Sequence, residues 1–142
     1  MRKLLSALLV SILLSTATSF ASYTPNTTWG VYTPTRSSET NLDANVTMTE
    51  AQFMRVGNTV TVSGRFTADP TATVATNFEI TLPVASNIGA VEDLAGDGFC
   101  GSIAGQGAAV HGVVANDTAE IAWLAVDVTS QVWSYIFSYQ VI

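Results

Sequence analysis

The chain has 142 residues, 48% of them hydrophobic and 11% charged, with five basic and eleven acidic side chains for a net charge of −6. Arg2 and Lys3 stand at the N-terminus, so the chain from Ser22 onward keeps three arginines, no lysine and all eleven carboxylates, a net −8 that argues against nucleic acid or an anionic membrane as partner. The single cysteine, Cys100, excludes an intrachain disulfide and reads as a small buried apolar side chain.

Residues 1–21 have the plan of a secretory signal peptide: two cations, an apolar run over 4–14 and a small-residue end at Ser19-Phe20-Ala21, with cleavage expected before Ser22. The apolar run is shorter than the roughly 20 residues of a membrane-spanning helix. The rest, 22–142, is of a size for one domain with one core.

Taken in order, 22–28 reads as a polar arm and 29–35 (WGVYTPT) as a short strand stopped by Pro34. The turn-rich stretch 36–44 reads as a loop. A strand is expected over 45–56, with a bulge at Phe53-Met54 sending both side chains inward. Gly57-Asn58 supplies two residues that tolerate positive φ, the requirement of a tight hairpin, and leads into strict alternation. Val60, Val62 and Phe66 share one face, Thr59, Thr61, Ser63 and Arg65 the other. Gly64, on the apolar face, marks a bulge or a close neighbour. After a turn at 68–71, Phe78, Ile80 and Leu82 alternate until Pro83. Residues 84–98 read as the longest irregular segment, 99–104 as a short strand and 108–114 as a longer one. Asn116-Asp117 makes a turn, and Ile121, Trp123 and Ala125 alternate behind it. In the last strand Trp133, Tyr135, Phe137, Tyr139 and Val141 occupy one face, with Ile136 the apolar exception on the other. Each buried ring contributes ~2 kcal/mol or more. About eight antiparallel strands with frequent turns and no helix predict an all-β fold, a β-sandwich or jelly roll.

The chemistry-bearing residues are few. His111 is the sole histidine, and a pairing with Cys100 and Asp97 or Asp117 is weaker than a structural or surface role. Glu92, Asp93 and Asp97 form an acidic, Gly-rich loop whose spacing does not match an EF-hand, so a solvated loop is expected rather than a calcium site. The sequons at Asn26, Asn45 and Asn116 arise easily in a Thr-rich chain. No catalytic, metal or cofactor residue is assigned, and the chain is expected to be no enzyme. A carbohydrate-binding role would use Trp29, Tyr32 or Trp133; a hydrolase role would need Asp93 or Asp97.

The strings G-V-Y-T-P-T (30–35), F-M-R-V-G-N-T-V-T-V-S-G (53–64), A-D-P-T (68–71), L-P-V-A-S-N (82–87) and the ending F-S-Y-Q-V-I (137–142) together resemble a small β domain of tailed-bacteriophage structural proteins, the C-terminal part of tail-fibre or head-decoration proteins. The resemblance covers nearly all of 22–142. It implies a virion-surface or adhesive role, a homotrimer and no catalytic residues. Behind a leader, the expected location is secreted or periplasmic, alternatively the virion surface, with a cell-surface glycan as a possible partner.

Overall fold

The computed structural model describes residues 27–44 and 46–142. The expected leader and the positions Asn26 and Asn45 lie outside these. The described chain is antiparallel and all-β: β1 (Thr27–Tyr32), β2 (Arg36–Thr40), β3 (Thr47–Met48), β4 (Ala51–Val56), β5 (Thr59–Ala68), β6 (Ala75–Ile80), β7 (Leu94–Cys100), β8 (Gly107–Val113), β9 (Thr118–Leu124) and β10 (Gln131–Gln140), with one 3-10 turn at Val91–Asp93.

The strands join in one sheet in the order β1-β4-β5-β10-β7-β8-β9-β6-β2, with β3 pairing β5 beside β4. The sheet curls upon itself. In a flat sheet β5 and β6, five places apart, would lie roughly 24 Å from each other. Instead the rings of Phe66 and Phe78 meet edge to face at 4.9 Å. Trp123 on β9 and Trp133 on β10 stand 5.0 Å apart although two strands separate them in the sheet. The curl is driven by the last strand. Trp133, Tyr135, Phe137 and Tyr139 are all buried, as the alternation predicts, against Val60, Val62 and Phe66 of β5 and against Ile121 and Trp123 of β9. Covalent continuity holds the curl. The sheet's two ends, β1 and β2, are consecutive in the chain, and the three residues between them are tied to the end of β6 through Thr35 N–H donating to Thr81 Oγ1 at 3.0 Å and Thr81 N–H to Thr35 O at 3.0 Å. Past β2 the chain crosses to the far side, where Leu42 bridges Pro70 and Asp43 N–H donates to Asp69 O at 2.9 Å.

Several sequence expectations are corrected here. The stretch 36–44 is not a loop throughout: Arg36–Thr40 forms β2 on the edge of β6, with a shift of register between Ser37 and Thr40 and Ser38 at φ 51°. The strand expected over 45–56 is broken at Thr49-Glu50 into β3 and β4. There is no bulge at Phe53-Met54. The pairing runs evenly from Gln52↔Ser63 to Val56↔Thr59, so Phe53 turns inward and Met54 outward, 51% exposed. In the hairpin only Gly57 takes positive φ, 61°, the pattern of a II′ turn with glycine first. Of the two readings for Gly64, the close neighbour holds: its register with Tyr135 is regular, and a Cβ there would lie 2.6 Å from Tyr135 Cζ. Of the expected irregular segment 84–98, residues 84–93 are irregular apart from the 3-10 turn, whereas 94–98 joins the first two residues of the expected strand 99–104 in one strand, Leu94–Cys100. Its Ala-Gly-Asp-Gly composition reads as a loop, yet β10 explains it. A Cβ at Gly96 would collide with the carbonyl of Ile136 and with Phe137, so the bulky strand demands a bare one beside it.

Candidate functional site

The convex side of the curled sheet carries the exposed apolar side chains of the strands, and pairing register arranges them in rows. One row runs Val31, Gln52, Ser63, Ile136, Asp97 across five strands; the next runs Trp29, Met54, Thr61, Ser138, Ala95. Between them lies an open groove of about 440 Å³ lined by Trp29, Val31, Gln52, Met54, Thr61 and Ser63, with no ionisable side chain. Trp29 is 79% exposed. It stands outward because β1 pairs evenly with β4, and Gly30 behind it lies flat on Phe53: a Cβ there would be 2.8 Å from the Phe53 ring. Thr61 and Ser138 are bonded to one another through their hydroxyls at 2.9 Å. A second hollow, of about 460 Å³, follows across β10 and β7 between Asp97, Phe99, Ser134 and Ile136.

Charge is distributed unevenly about this face. The contiguous strands β1, β4, β5 and β10 contain no Asp or Glu and hold two of the three arginines, Arg55 and Arg65. The carboxylates lie in connections and on β2, β6, β7 and β9. Glu79 on β6 is buried, 7% exposed. Burial alone would raise its pKa, but its Oε2 accepts from Thr118 Oγ1 at 2.7 Å and Asn116 Nδ2 at 2.9 Å, with Ser38 adding a third bond, and these hold the carboxyl below its ordinary range. Its cross-strand neighbour Glu120 accepts from Asn77 Nδ2 at 2.6 Å and lies 3.7 Å from His111 Nε2.

The aromatic residues named for carbohydrate binding are not brought together. Trp29 is at the surface, Tyr32 turns inward to meet Phe53 edge to face at 6.2 Å, and Trp133 is fully buried, stacked on Phe66 at 5.9 Å. The acidic residues of 92–97 part company as well. Asp93 Oδ2 accepts from the N–H groups of Gly89 and Ala90, both at 2.9 Å, while Asp97 lies on the convex face of β7. Among the described residues no group of three His, Cys, Asp or Glu is placed to hold a metal ion. His111 sits on the convex side opposite Ala95, whereas Cys100 is buried on the concave side five residues further along β7, roughly 17 Å away by strand rise. Asp117 is occupied in accepting from Ile88 N–H at 2.8 Å. Sequence reasoning missed Met54, Gln52 and Ser63 as groove residues. The signal was available: carrying the β5 alternation back through a two-residue turn puts Met54 on the same face as Thr61.

No known protein family, no curated protein sequence and no solved structure matches this chain.

Proposed function

We propose that the chain is a non-enzymatic structural or adhesive domain, of the kind displayed on phage virion surfaces, exported behind its leader and working as an oligomer. One observation carries the self-association: an apolar patch with Trp29, Val31 and Met54 exposed, on strands that hold no carboxylate and are flanked by Glu50 and Asp97, in a chain that is otherwise strongly acidic. Apolar area buried there is not opposed by the repulsion that the other faces of two copies would meet. The sequence resemblance supports the same reading and implies a homotrimer. The test is the native mass of the protein by light scattering after gel filtration, across protein concentration and with and without Ca²⁺. An oligomer that forms without Ca²⁺ is expected; a monomer under every condition overturns the reading.

A second reading, a carbohydrate-binding domain, draws on one specific feature. Trp29 stands over a neutral groove in which the amide of Gln52 and the hydroxyl of Ser63 lie within the same lining. An indole face and uncharged hydrogen-bonding groups are the requirements of a neutral sugar. A glycan array on which the protein and its Trp29→Ala variant behave alike removes this reading.

A further inference from the structure

The two ends of the sheet are built differently. β2, at one end, has the features that keep an edge strand from pairing: charged Arg36 and Glu39, a register shift, and Ser38 at positive φ. β1, at the other end, has none of them. Its six residues, Thr-Thr-Trp-Gly-Val-Tyr, contain no charge and no proline and pair with β4 without a bulge, and 28–32 have β4 as their one partner strand among the described residues. A straight, neutral, partly apolar edge is a template for another strand, and proteins that remain monomeric guard against it.

We propose that β1 is the docking edge for β1 of a second copy of this chain, the two strands pairing antiparallel across a two-fold axis so that the sheets become continuous. The proposal rests on the self-association reading above and names where it happens. A second copy is the occupant favoured by charge. β1 and its neighbours β4, β5 and β10 carry no carboxylate, so two copies meeting edge to edge bring together the part of the surface with the least self-repulsion. It is also favoured by self-complementarity. With the axis at Gly30, Trp29 of one copy faces Val31 of the second copy, and the reverse, on the convex side; such aromatic-to-β-branched pairs stabilise antiparallel sheets. Both grooves then adjoin across the axis, and each exposed indole gains an apolar neighbour. A two-fold edge of this kind closes on two copies rather than three.

The experiment measures native mass by light scattering, over a hundredfold range of concentration, on the protein expressed from its full-length sequence and on Trp29→Lys, Val31→Lys and, as control, Val128→Lys. Position 128 is exposed and apolar but remote from β1 in the chain. The expected result is a dimer for the unsubstituted protein and the control, and a halved mass for the two β1 variants, which place like charges across the axis. All three positions are surface ones, and unchanged far-UV circular dichroism confirms folding. Hydrogen exchange on the unsubstituted protein gives an independent reading: the amides of 29–31 become at least tenfold better protected as concentration rises through the transition. A trimer would keep the self-association reading and overturn two-fold edge pairing. A dimer insensitive to Lys at 29 and 31 would overturn it too, placing the contact elsewhere, and a monomer throughout would overturn both.

Discussion

At the scale of single residues, the close approaches in this fold are made by side chains that are absent. Gly64 faces the ring of Tyr135, and a methyl there would meet Tyr135 Cζ at 2.6 Å and Ala51 Cβ at 2.9 Å inside a filled core. Gly64→Ala is therefore expected to destabilise by about 1–3 kcal/mol, the usual range for overpacking, read as a lowered midpoint in urea. Glu79 shows the opposite arrangement, a buried charge made tolerable by three donors. Its folded pKa lies below the ordinary 4.5, so the stability it contributes is present above that value and is lost as pH falls through the lower, folded one. Glu79→Gln removes this dependence. Unfolding midpoints followed downward from pH 5 should fall less steeply for the variant than for the unsubstituted protein, and parallel curves would count against this role for Glu79.

At the scale of elements, β10 and β1 are both rich in aromatic and β-branched residues, and alternation reads both as strands. What separates them is position in the sheet. β10 lies between β5 and β7, and its rings are closed in by the curl. β1 is an edge, and its indole stays in water. Trp133→Ala should accordingly cost about 3–5 kcal/mol, as expected when a buried large aromatic side chain is truncated. Trp29→Ala should change the stability of an isolated subunit by no more than about 0.5 kcal/mol. Chemical denaturation at a concentration low enough to separate any oligomer compares the two; a similar loss at both positions would mean that Trp29 packs within the subunit. The strand pair β7 and β10 also explains a misreading. The stretch Leu94–Gly98 looks like a loop from its own composition, because two glycines and an aspartate weaken any strand signal. It becomes a strand because β10 supplies the bulk that β7 lacks.

At the scale of the whole molecule, the curl draws three tyrosines from two strands into one interior. Burial raises Tyr32, Tyr135 and Tyr139 above their ordinary 10.0. The shift is opposed at Tyr139 by the N–H···O geometry around Val84 and by Arg55, which leave it at about 12. A group held protonated in the folded state contributes stability that is intact below its unfolded pKa and lost as pH rises toward its folded one. The fold is thus expected to weaken from about pH 10 upward. The phenolate absorbance of these tyrosines should rise together with loss of near-UV circular dichroism; ionisation of all three with the near-UV spectrum intact would show that they are open to water.

The class of fold, the hairpin at Gly57, the buried face of β5 and the aromatic face of β10 were legible in the order of amino acids alone. Each of these rests on local periodicity or on the backbone freedom of one residue, and neither needs knowledge of distant neighbours. Tertiary structure decided what depends on which strand lies beside which: that β2 and β7 are strands, that Gly64 makes room for Tyr135, and that Trp133 is core while Trp29 is surface. It also decided the candidate site. The groove is assembled from β1, β4 and β5, and a run of four contiguous strands without a carboxylate emerges only when β10, more than sixty residues after β5 begins, is set beside them. Periodicity reports which residues share a face of one strand; only the order of strands in the sheet reports what that face becomes.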